Sequence, residues 1–188
     1  MDFQRITSPS HPLFDAAWQV YVRSFPANER RTREDHLRAL GDAAFHACAA
    51  VENGQLIAIA FYWQTAEFTY LEHLAVNSAM RGTGCGTRVL QALLDETQSP
   101  LILEIEPPED ARTCRRKRFY ERNGLRAQPF RHVQLPFQGE SPIVPLVIMA
   151  DRDLTAQQCR AFQQYLLDRV VRYTQYRKTL DIADIIGI

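Results

Sequence analysis

A glycine-rich loop between a strand and a helix is the sequence feature that constrains this chain most. The strand pattern ends at Val76 and the apolar stripe of a helix begins near Val89. Between them lies the run Arg81-Gly82-Thr83-Gly84-Cys85-Gly86-Thr87. Glycine lets the backbone turn tightly with its N–H groups inward, and a helix N-terminus adds roughly half a positive charge. The loop therefore predicts an anion-binding site, to which Arg81 adds a formal charge and Thr87 a hydroxyl.

Two common phosphate-binding patterns fit this loop poorly. The P-loop pattern GxxxxGKS/T is absent, because no lysine lies near the loop. The dinucleotide-binding pattern GxGxxG is matched by Gly82 and Gly84, but Thr87 stands at its third glycine. That pattern also follows its strand almost directly, whereas residues 77–81 intervene here. A nucleotide-dependent oxidoreductase is therefore the least favoured of the functions considered.

The hydrophobic pattern on either side of the loop predicts a mixed α/β sheet flanked by helices. Residues 12–24 and 28–41 have helical spacing, and two apolar runs then meet at Glu52-Asn53-Gly54. Asn-Gly between such runs is the strongest short hairpin pattern. The remaining predicted elements are a strand Phe68–Val76, the helix after the loop, a strand Leu101–Ile105, a basic helix ending at Gly124, strands around residues 126–135 and 145–149, and a long C-terminal helix over 155–176.

Length, charge and hydropathy limit the possible classes of protein. The 188 residues correspond to about one ordinary domain, which we place at residues 1–150, with a C-terminal helix and apolar tail at 151–188 packed on it. Twenty-two Lys plus Arg balance 22 Asp plus Glu, so no net field attracts nucleic acid or an anionic membrane. The longest apolar run, Leu56–Trp63, is far shorter than the ~20 residues that cross a bilayer. Nucleic-acid and membrane partners are therefore disfavoured.

The cysteines and the two ends of the chain indicate a compartment. The four cysteines form no CxxC pair and the histidines are not clustered, which predicts free thiols and no metal site. The N-terminus lacks the apolar stretch of a secretory signal, so we expect a cytoplasmic protein. The 20 arginines against two lysines point to a GC-rich, bacterial source. The apolar tail, residues 182–188, would favour a homodimer if it were exposed.

Two linked motifs resemble those of one known family. The pattern Gln/Arg-x-x-Gly-x-Gly/Ala after an apolar strand end is matched by Leu74-Ala75-Val76 followed by Arg81, Gly84 and Gly86. The segment 119–125, FYERNGL, resembles a second motif, FYxxxGF, after a strand and inside a helix. The helix-helix-hairpin order before the loop agrees as well. Over roughly residues 1–150, the chain therefore resembles the GNAT superfamily of acyl-CoA-dependent N-acetyltransferases.

The resemblance implies a GNAT-like, mostly antiparallel central sheet that is splayed at its middle strands. The pantetheine arm of acetyl-CoA would enter this split, between Phe68–Val76 and Leu101–Ile105, and pair with the main chain of Leu74 and Val76. Besides Arg81, the residues implied to hold the pyrophosphate are Gly82, Thr83, Gly84, Cys85, Gly86 and Thr87. Thr113 stands where the family often has an asparagine that contacts the cofactor.

Carboxylates on the two splayed strands are candidate bases for taking a proton from the acceptor amine. Glu72 lies on one strand, and Glu104 and Glu106 lie at the end of the other. The resemblance favours Glu104, because some family members carry a catalytic glutamate there. Strict alternation places Glu72 on the face of Leu74 and Val76, which makes it the second candidate. The structural alternative for both is an ion pair with one of the many arginines.

Tyr120, in the second motif, is the candidate general acid towards the leaving thiolate, and packing onto the sheet is its structural alternative. Alternation is expected to turn His73 away from Glu72, which disfavours a catalytic histidine. Cys85 is expected to pack, since the family transfers the acetyl group directly and needs no enzyme nucleophile. The predicted function is N-acetylation of a primary amine, in a small molecule or a peptide, by acetyl-CoA. The alternative is a non-catalytic acyl-CoA-binding or regulatory domain.

Overall fold

The computed structural model describes residues 1–135, 137–138, 144–175 and 183. Its strands are β1 Asp2–Ile6, β2 Phe45–Glu52, β3 Gln55–Gln64, β4 Thr69–Val76, β5 Leu101–Ile105, β6 Arg126–Ala127 and β7 Val147–Ala150. Its α-helices are α1 Phe14–Ser24, α2 Arg33–Leu40, α3 Cys85–Glu96, α4 Ala111–Arg122 and α5 Ala156–Asp168. The strands form a single sheet in the order β1-β2-β3-β4-β5-β7-β6, in which β4 and β5 are the parallel pair. The predicted mixed, mostly antiparallel α/β fold is confirmed.

The sheet separates two hydrophobic layers. One layer packs α1, α2 and α5 on the sheet and contains Phe14, Tyr21 and Phe162, all fully buried. The other packs α3 and α4 on the opposite face and contains Val89 and Leu90. Among the described residues, every helix is too short or too polar to span a lipid bilayer.

The sheet opens between its two middle strands. β4 and β5 pair at only two positions, Thr69 with Leu101 and Tyr70 with Ile102. Beyond Tyr70, β4 continues to Val76 paired with β3 alone, while β5 pairs with β7. The main chain of this half of β4 therefore forms an inner strand edge that faces the gap. The predicted split between these strands is confirmed.

A β-bulge in β4 changes which side chains share a face. Phe61 pairs with His73 and the next residue of β3 pairs with Leu71, so Glu72 is the extra residue of β4. A bulge of this kind breaks the alternation of the side chains. His73 therefore lies with Glu72 on the α1 side, and Leu74 lies on the opposite face. The predicted separation of His73 from Glu72 is wrong for this reason.

Three elements differ from the sequence prediction. β1 was not predicted, because this edge strand buries only Ile6 and its polar residues show no periodicity. The strand expected around residues 126–135 is limited to β6, since the chain leaves the sheet after Gln128 and then forms an isolated bridge between Val133 and Pro145. The long C-terminal helix ends at Asp168 and continues as a 3-10 turn, Val170–Tyr173. The end of that predicted helix and the apolar tail lie outside the described residues, apart from residue 183.

Tertiary contacts anchor the turn that follows α5. Arg169 and Tyr173 both reach Asp42, at the start of the hairpin, with the Tyr173 hydroxyl donating at 2.9 Å. Val170 is buried in the core between them. These contacts hold the 3-10 turn against the start of the hairpin.

Candidate active site

Three glycines shape the start of α3: two adopt a left-handed backbone conformation, and the third packs closely against β4. Gly82 and Gly84 have φ of +80° and +77°, a region that L side chains rarely adopt. Gly84 is the N-cap of α3. A Cβ at Gly86 would lie 3.3 Å from a methyl carbon of Val76, so glycine there lets α3 pack onto β4. The loop thus turns the first amides of a twelve-residue helix towards the end of β4.

The side chains of the loop are used in different ways. Cys85 is buried, and its sulfur lies 3.0 Å from the Thr83 hydroxyl and 3.2 Å from the Arg88 guanidinium. Arg88 is also paired with Glu52, so its charge is already neutralised. Arg81 is exposed and contributes to the wall of the central cavity. The loop therefore presents main-chain amides and Arg81 to a ligand.

A cavity of about 310 Å³ occupies the split between β4 and β5. Its lining includes Leu74 and Val76 from β4, and Arg81 lies at its loop end. Glu104 of β5 and Tyr120 of α4 also line it. An extended arm with amide groups fits here, because the inner edge of β4 has main-chain groups that lack a β5 partner.

Glu104 is held by hydrogen bonds with a tyrosine and a histidine. The Tyr70 hydroxyl donates to one carboxylate oxygen at 2.5 Å, and Nε2 of His132 contacts the other oxygen. Burial, and then the charge of Glu104, raise the pKa of Tyr70 well above its usual value, so this hydroxyl remains a donor. His132 was not singled out by the sequence, because it lies in an irregular segment 28 residues away from Glu104.

Glu72 is held by a charged partner instead. Its oxygens accept hydrogen bonds from the Arg31 guanidinium at 2.5 and 2.8 Å, and both side chains are almost fully buried. Burial alone would raise the pKa of Glu72, but Arg31 and His73 lower it to about 2. The rings of Phe45 and Phe137 lie about 5.1 Å from the guanidinium carbon.

This arrangement corrects the predicted place of Glu72. The bulge puts its side chain on the Arg31 side of the sheet, away from the face of Leu74 and Val76. Glu72 still contributes to the cavity wall. A fully paired carboxylate with so low a pKa is a weak acceptor for the proton of an amine. Glu104 is the better placed of the two predicted bases.

Tyr120 is half-buried on the other side of the split, where it packs beside Phe119 onto the α3 layer. Burial raises its pKa to about 12, although the charge of Arg116 acts in the opposite direction. The hydroxyl is therefore protonated throughout the physiological range. Its place on the cavity wall gives it access to a group bound in the split.

Two further carboxylates lie at the rim of the cavity. Glu106 pairs with Arg112 and Arg116 of α4, so it is not a free base. Glu29, in a 3-10 turn between α1 and α2, was not singled out by the sequence. Burial and the nearby charge of Glu106 raise the pKa of its carboxyl. Its main-chain oxygen contacts Nε2 of His73 at 2.8 Å, which fixes this turn against β4.

Thr113, which stands where the resembled family often has an asparagine, stabilises the start of α4. It is buried and forms a capping box with Asp110 at the start of α4. Its hydroxyl accepts from the Asp110 amide at 3.0 Å and donates to the Asp110 carboxylate at 2.8 Å. These bonds leave little capacity for contact with a cofactor.

Comparison with known proteins identifies the family and the fold. The family model for the acetyltransferase (GNAT) family matches residues 11–125. A candidate GNAT-family acetyltransferase from Bacteroides thetaiotaomicron is 28% identical, with a TM-score of 0.85 over 91% of this chain and 98% of its own. The ribosomal-protein-S18-alanine N-acetyltransferase of Escherichia coli is 19% identical, with a TM-score of 0.58 over 79% and 91%. A GNAT acetyltransferase of Elizabethkingia anophelis with acetyl-CoA bound is 12% identical, with a TM-score of 0.57 over 79% and 95%.

The two structures that are 19% and 12% identical show similarity of fold only. No curated protein matches the sequence. The fold, the split and the loop define an acyltransferase that takes its acyl group from a CoA thioester. The chain belongs to the GNAT acetyltransferase family, and it is accordingly an acetyl-CoA-dependent N-acetyltransferase.

Proposed function

We propose that this protein transfers an acetyl group directly from acetyl-CoA to a primary amine, with Glu104 as the base and Tyr120 as the donor to the leaving thiolate. The observation that carries this proposal is the cavity in the split of the sheet, which Glu104 and Tyr120 line together. The inner edge of β4 at Leu74 and Val76 binds the pantetheine amides.

The proposed cofactor contacts belong to the strand edge and the loop. The pyrophosphate binds the amides of the loop and the start of α3, which carry the partial positive charge of the helix. Arg81 adds its formal charge at the loop end of the cavity. The residues assigned to the pyrophosphate are Arg81, Gly82, Thr83, Gly84, Cys85, Gly86 and Thr87.

Glu104 takes a proton from the acceptor amine. An amine of pKa about 10.4 is neutral in only about 1 of 2,500 molecules at pH 7, so it reaches the enzyme as an ammonium ion. One N–H bond breaks as an O–H bond forms on Glu104, directly or through a water. The amine nitrogen then bonds to the thioester carbon and gives up a second proton to solvent, and the C–S bond breaks to release the thiolate. Glu104 afterwards returns its own proton to solvent.

Tyr120 acts on the sulfur. Full proton transfer from a phenol of pKa about 12 to a thiolate of pKa about 8.5 is uphill by about 3.5 units, or ~5 kcal/mol. The hydroxyl therefore donates a hydrogen bond to the developing thiolate, and solvent supplies the proton later. Such a charge-assisted bond contributes about 1.5–3 kcal/mol.

The charges at the acceptor end favour a cationic substrate. Glu29 and Glu104 line the cavity, whereas the charge of Glu106 is balanced by arginines of α4. An arriving ammonium ion would offset the burial of Glu29. Polyamines, amino acids, aminoglycosides and peptide N-termini all meet this requirement, so the acceptor class is a protonated amine. A cytoplasmic location, a bacterial source and a homodimer stay predictions.

A melting screen and a thiol-release assay test the proposal. Coenzyme A at 100 times its dissociation constant adds about 2.7 kcal/mol to the unfolding free energy, a rise of several degrees in Tm, whereas NAD gives none. Release of free thiol from acetyl-CoA with a panel of amines then measures turnover. A protein whose Tm is unchanged by coenzyme A would contradict the whole proposal.

The Tyr120→Phe variant separates an enzyme from a binding domain. It removes one hydroxyl and keeps the ring, so stability and coenzyme A affinity change little. We expect kcat to fall about 10- to 100-fold with a nearly constant KM, because the lost hydrogen bond forms in the transition state. Unchanged kcat would assign Tyr120 to packing alone. Coenzyme A binding without thiol release on any amine would favour the non-catalytic alternative.

A further inference from the structure

The carboxylate of Glu104 is surrounded by side chains from three distant parts of the chain. Tyr70 comes from β4, His132 follows β6, and Gln163 lies behind His132 on α5. The His132 side chain is fully buried, and Gln163 is 1% exposed. His132 and Gln163 also lie beyond residues 11–125, the part that the family model matches.

Gln163 determines which nitrogen of His132 carries the proton. Nε2 of Gln163 donates to the Arg131 carbonyl at 2.8 Å, which fixes the orientation of the amide. The same NH₂ group lies 3.4 Å from Nδ1 of His132. Because an amide NH₂ only donates, Nδ1 has to accept, and the imidazole proton lies on Nε2. A proton on Nδ1 would place two donors against each other.

The proton on Nε2 points at Glu104. Glu104 therefore accepts from His132 on one oxygen and from Tyr70 on the other. The ring of Phe162 packs 5.8 Å from His132 and 5.1 Å from Tyr70, between centroids. Phe162 and Gln163 are adjacent on α5, so this helix supports both donors.

We propose that His132 and Gln163 are positioning residues, which hold the Glu104 carboxylate in one orientation for proton transfer from the acceptor amine. This inference rests on the proposed function, in which Glu104 is the base. Each oxygen keeps a second lone pair after accepting one hydrogen bond. The proton of the amine goes to one of these lone pairs.

Kinetics of three variants test the positioning role. His132→Leu removes the donor, and we expect kcat to fall about 10- to 100-fold, since a misplacement of about 1 Å has effects of this size. His132→Gln restores an N–H near the position of Nε2 and should recover much of that loss. Gln163→Leu no longer fixes the tautomer of His132 and should lower kcat about 3- to 10-fold. KM for acetyl-CoA should stay constant in all three variants.

Cys159→Ala is the matched control. Cys159 is buried on α5 one turn before Gln163, and it contacts none of these groups by hydrogen bonding in the described residues. This variant should lose stability without losing kcat. If it lost as much kcat as Gln163→Leu at equal stability, general loosening of α5 would replace the positioning role.

A double-mutant cycle distinguishes failure of this inference from failure of the proposed function. If His132 acts through Glu104, His132→Leu has no further effect on kcat in a Glu104→Gln background. Additive losses would overturn the inference and leave Glu104 as the base. Full activity of Glu104→Gln would overturn the base itself.

The tautomer of His132 can be measured independently of enzyme activity. Nitrogen-15 NMR of labelled histidine should show His132 as the neutral Nε2–H form at pH 8 in the wild type. In Gln163→Leu we expect a mixture of the two neutral tautomers. A wild-type His132 protonated on Nδ1 would contradict the arrangement.

Discussion

Glu72 and Glu104 lie on the two strands that separate, and each accepts hydrogen bonds on both oxygens, yet their surroundings differ. Glu72 faces the buried Arg31, whose charge lowers the pKa of the carboxyl to about 2. Glu104 accepts from Tyr70, an uncharged donor, contacts His132 and remains partly exposed to the cavity. The difference shows that the partners of a strand-end carboxylate decide whether it suits proton transfer, since an arginine neutralises it and a hydroxyl only orients it.

The largest expected effect is on turnover. Glu104→Gln should lower kcat about 10²- to 10⁴-fold, the range for a lost general base, and the loss should shrink as pH rises towards the pKa of the amine. Glu72→Gln should change kcat less than about 10-fold under conditions where it is folded. Thiol release over pH 6–10 measures both. A larger loss in Glu72→Gln than in Glu104→Gln would reverse the comparison.

Among these variants, the one that removes the Arg31 charge beside Glu72 should have the largest effect on stability. Arg31→Met leaves a buried carboxylate without its charged partner, which costs about 3–5 kcal/mol in the free energy of unfolding. Arg88→Met is the matched control, because its ion pair with Glu52 is partly exposed to solvent and is expected to contribute much less to stability. Urea unfolding at pH 7 compares the two. Equal losses would show that burial of the Arg31 pair has no consequence.

The acid dependence of stability should identify Glu72. Its folded pKa of about 2 lies below the ordinary value of 4.5, so its contribution is complete above about pH 5 and is lost as pH falls towards 2. The difference of 2.5 units corresponds to roughly 3 kcal/mol. The gap in unfolding free energy between wild type and Glu72→Gln should therefore close on acidification. A gap that stayed constant from pH 7 to 3 would mean that Glu72 is not ionised in the native state.

The smallest expected effect concerns a neutral donor. Tyr70→Phe removes one hydrogen bond to Glu104 and leaves the one from His132, so we expect a loss of about 1.5 kcal/mol and a few-fold decrease in kcat. Tyr165→Phe is the control, because its buried hydroxyl has no hydrogen-bond partner among the described residues and should be dispensable. Thermal unfolding of both variants provides the measurement. A Tyr70→Phe loss as large as that of Arg31→Met would show that neutral and charged partners contribute alike.

The sequence by itself determined the parts that depend on local backbone geometry. The Asn-Gly turn predicts the hairpin, and the glycine loop predicts the start of α3, because left-handed φ at Gly82 and Gly84 is a property of residue type. These features involve residues close in sequence, so each can be inferred from its own segment.

Only the tertiary structure decided which carboxylate has which partner. A single extra residue in β4, Glu72, reversed the side-chain faces beyond it, and no pattern in that strand indicates the bulge. Arg31 and His132 reach the two carboxylates from segments 41 and 28 residues away. Contacts of this length depend on how the helices pack on the sheet, because the partners meet only after the hydrophobic layers have formed.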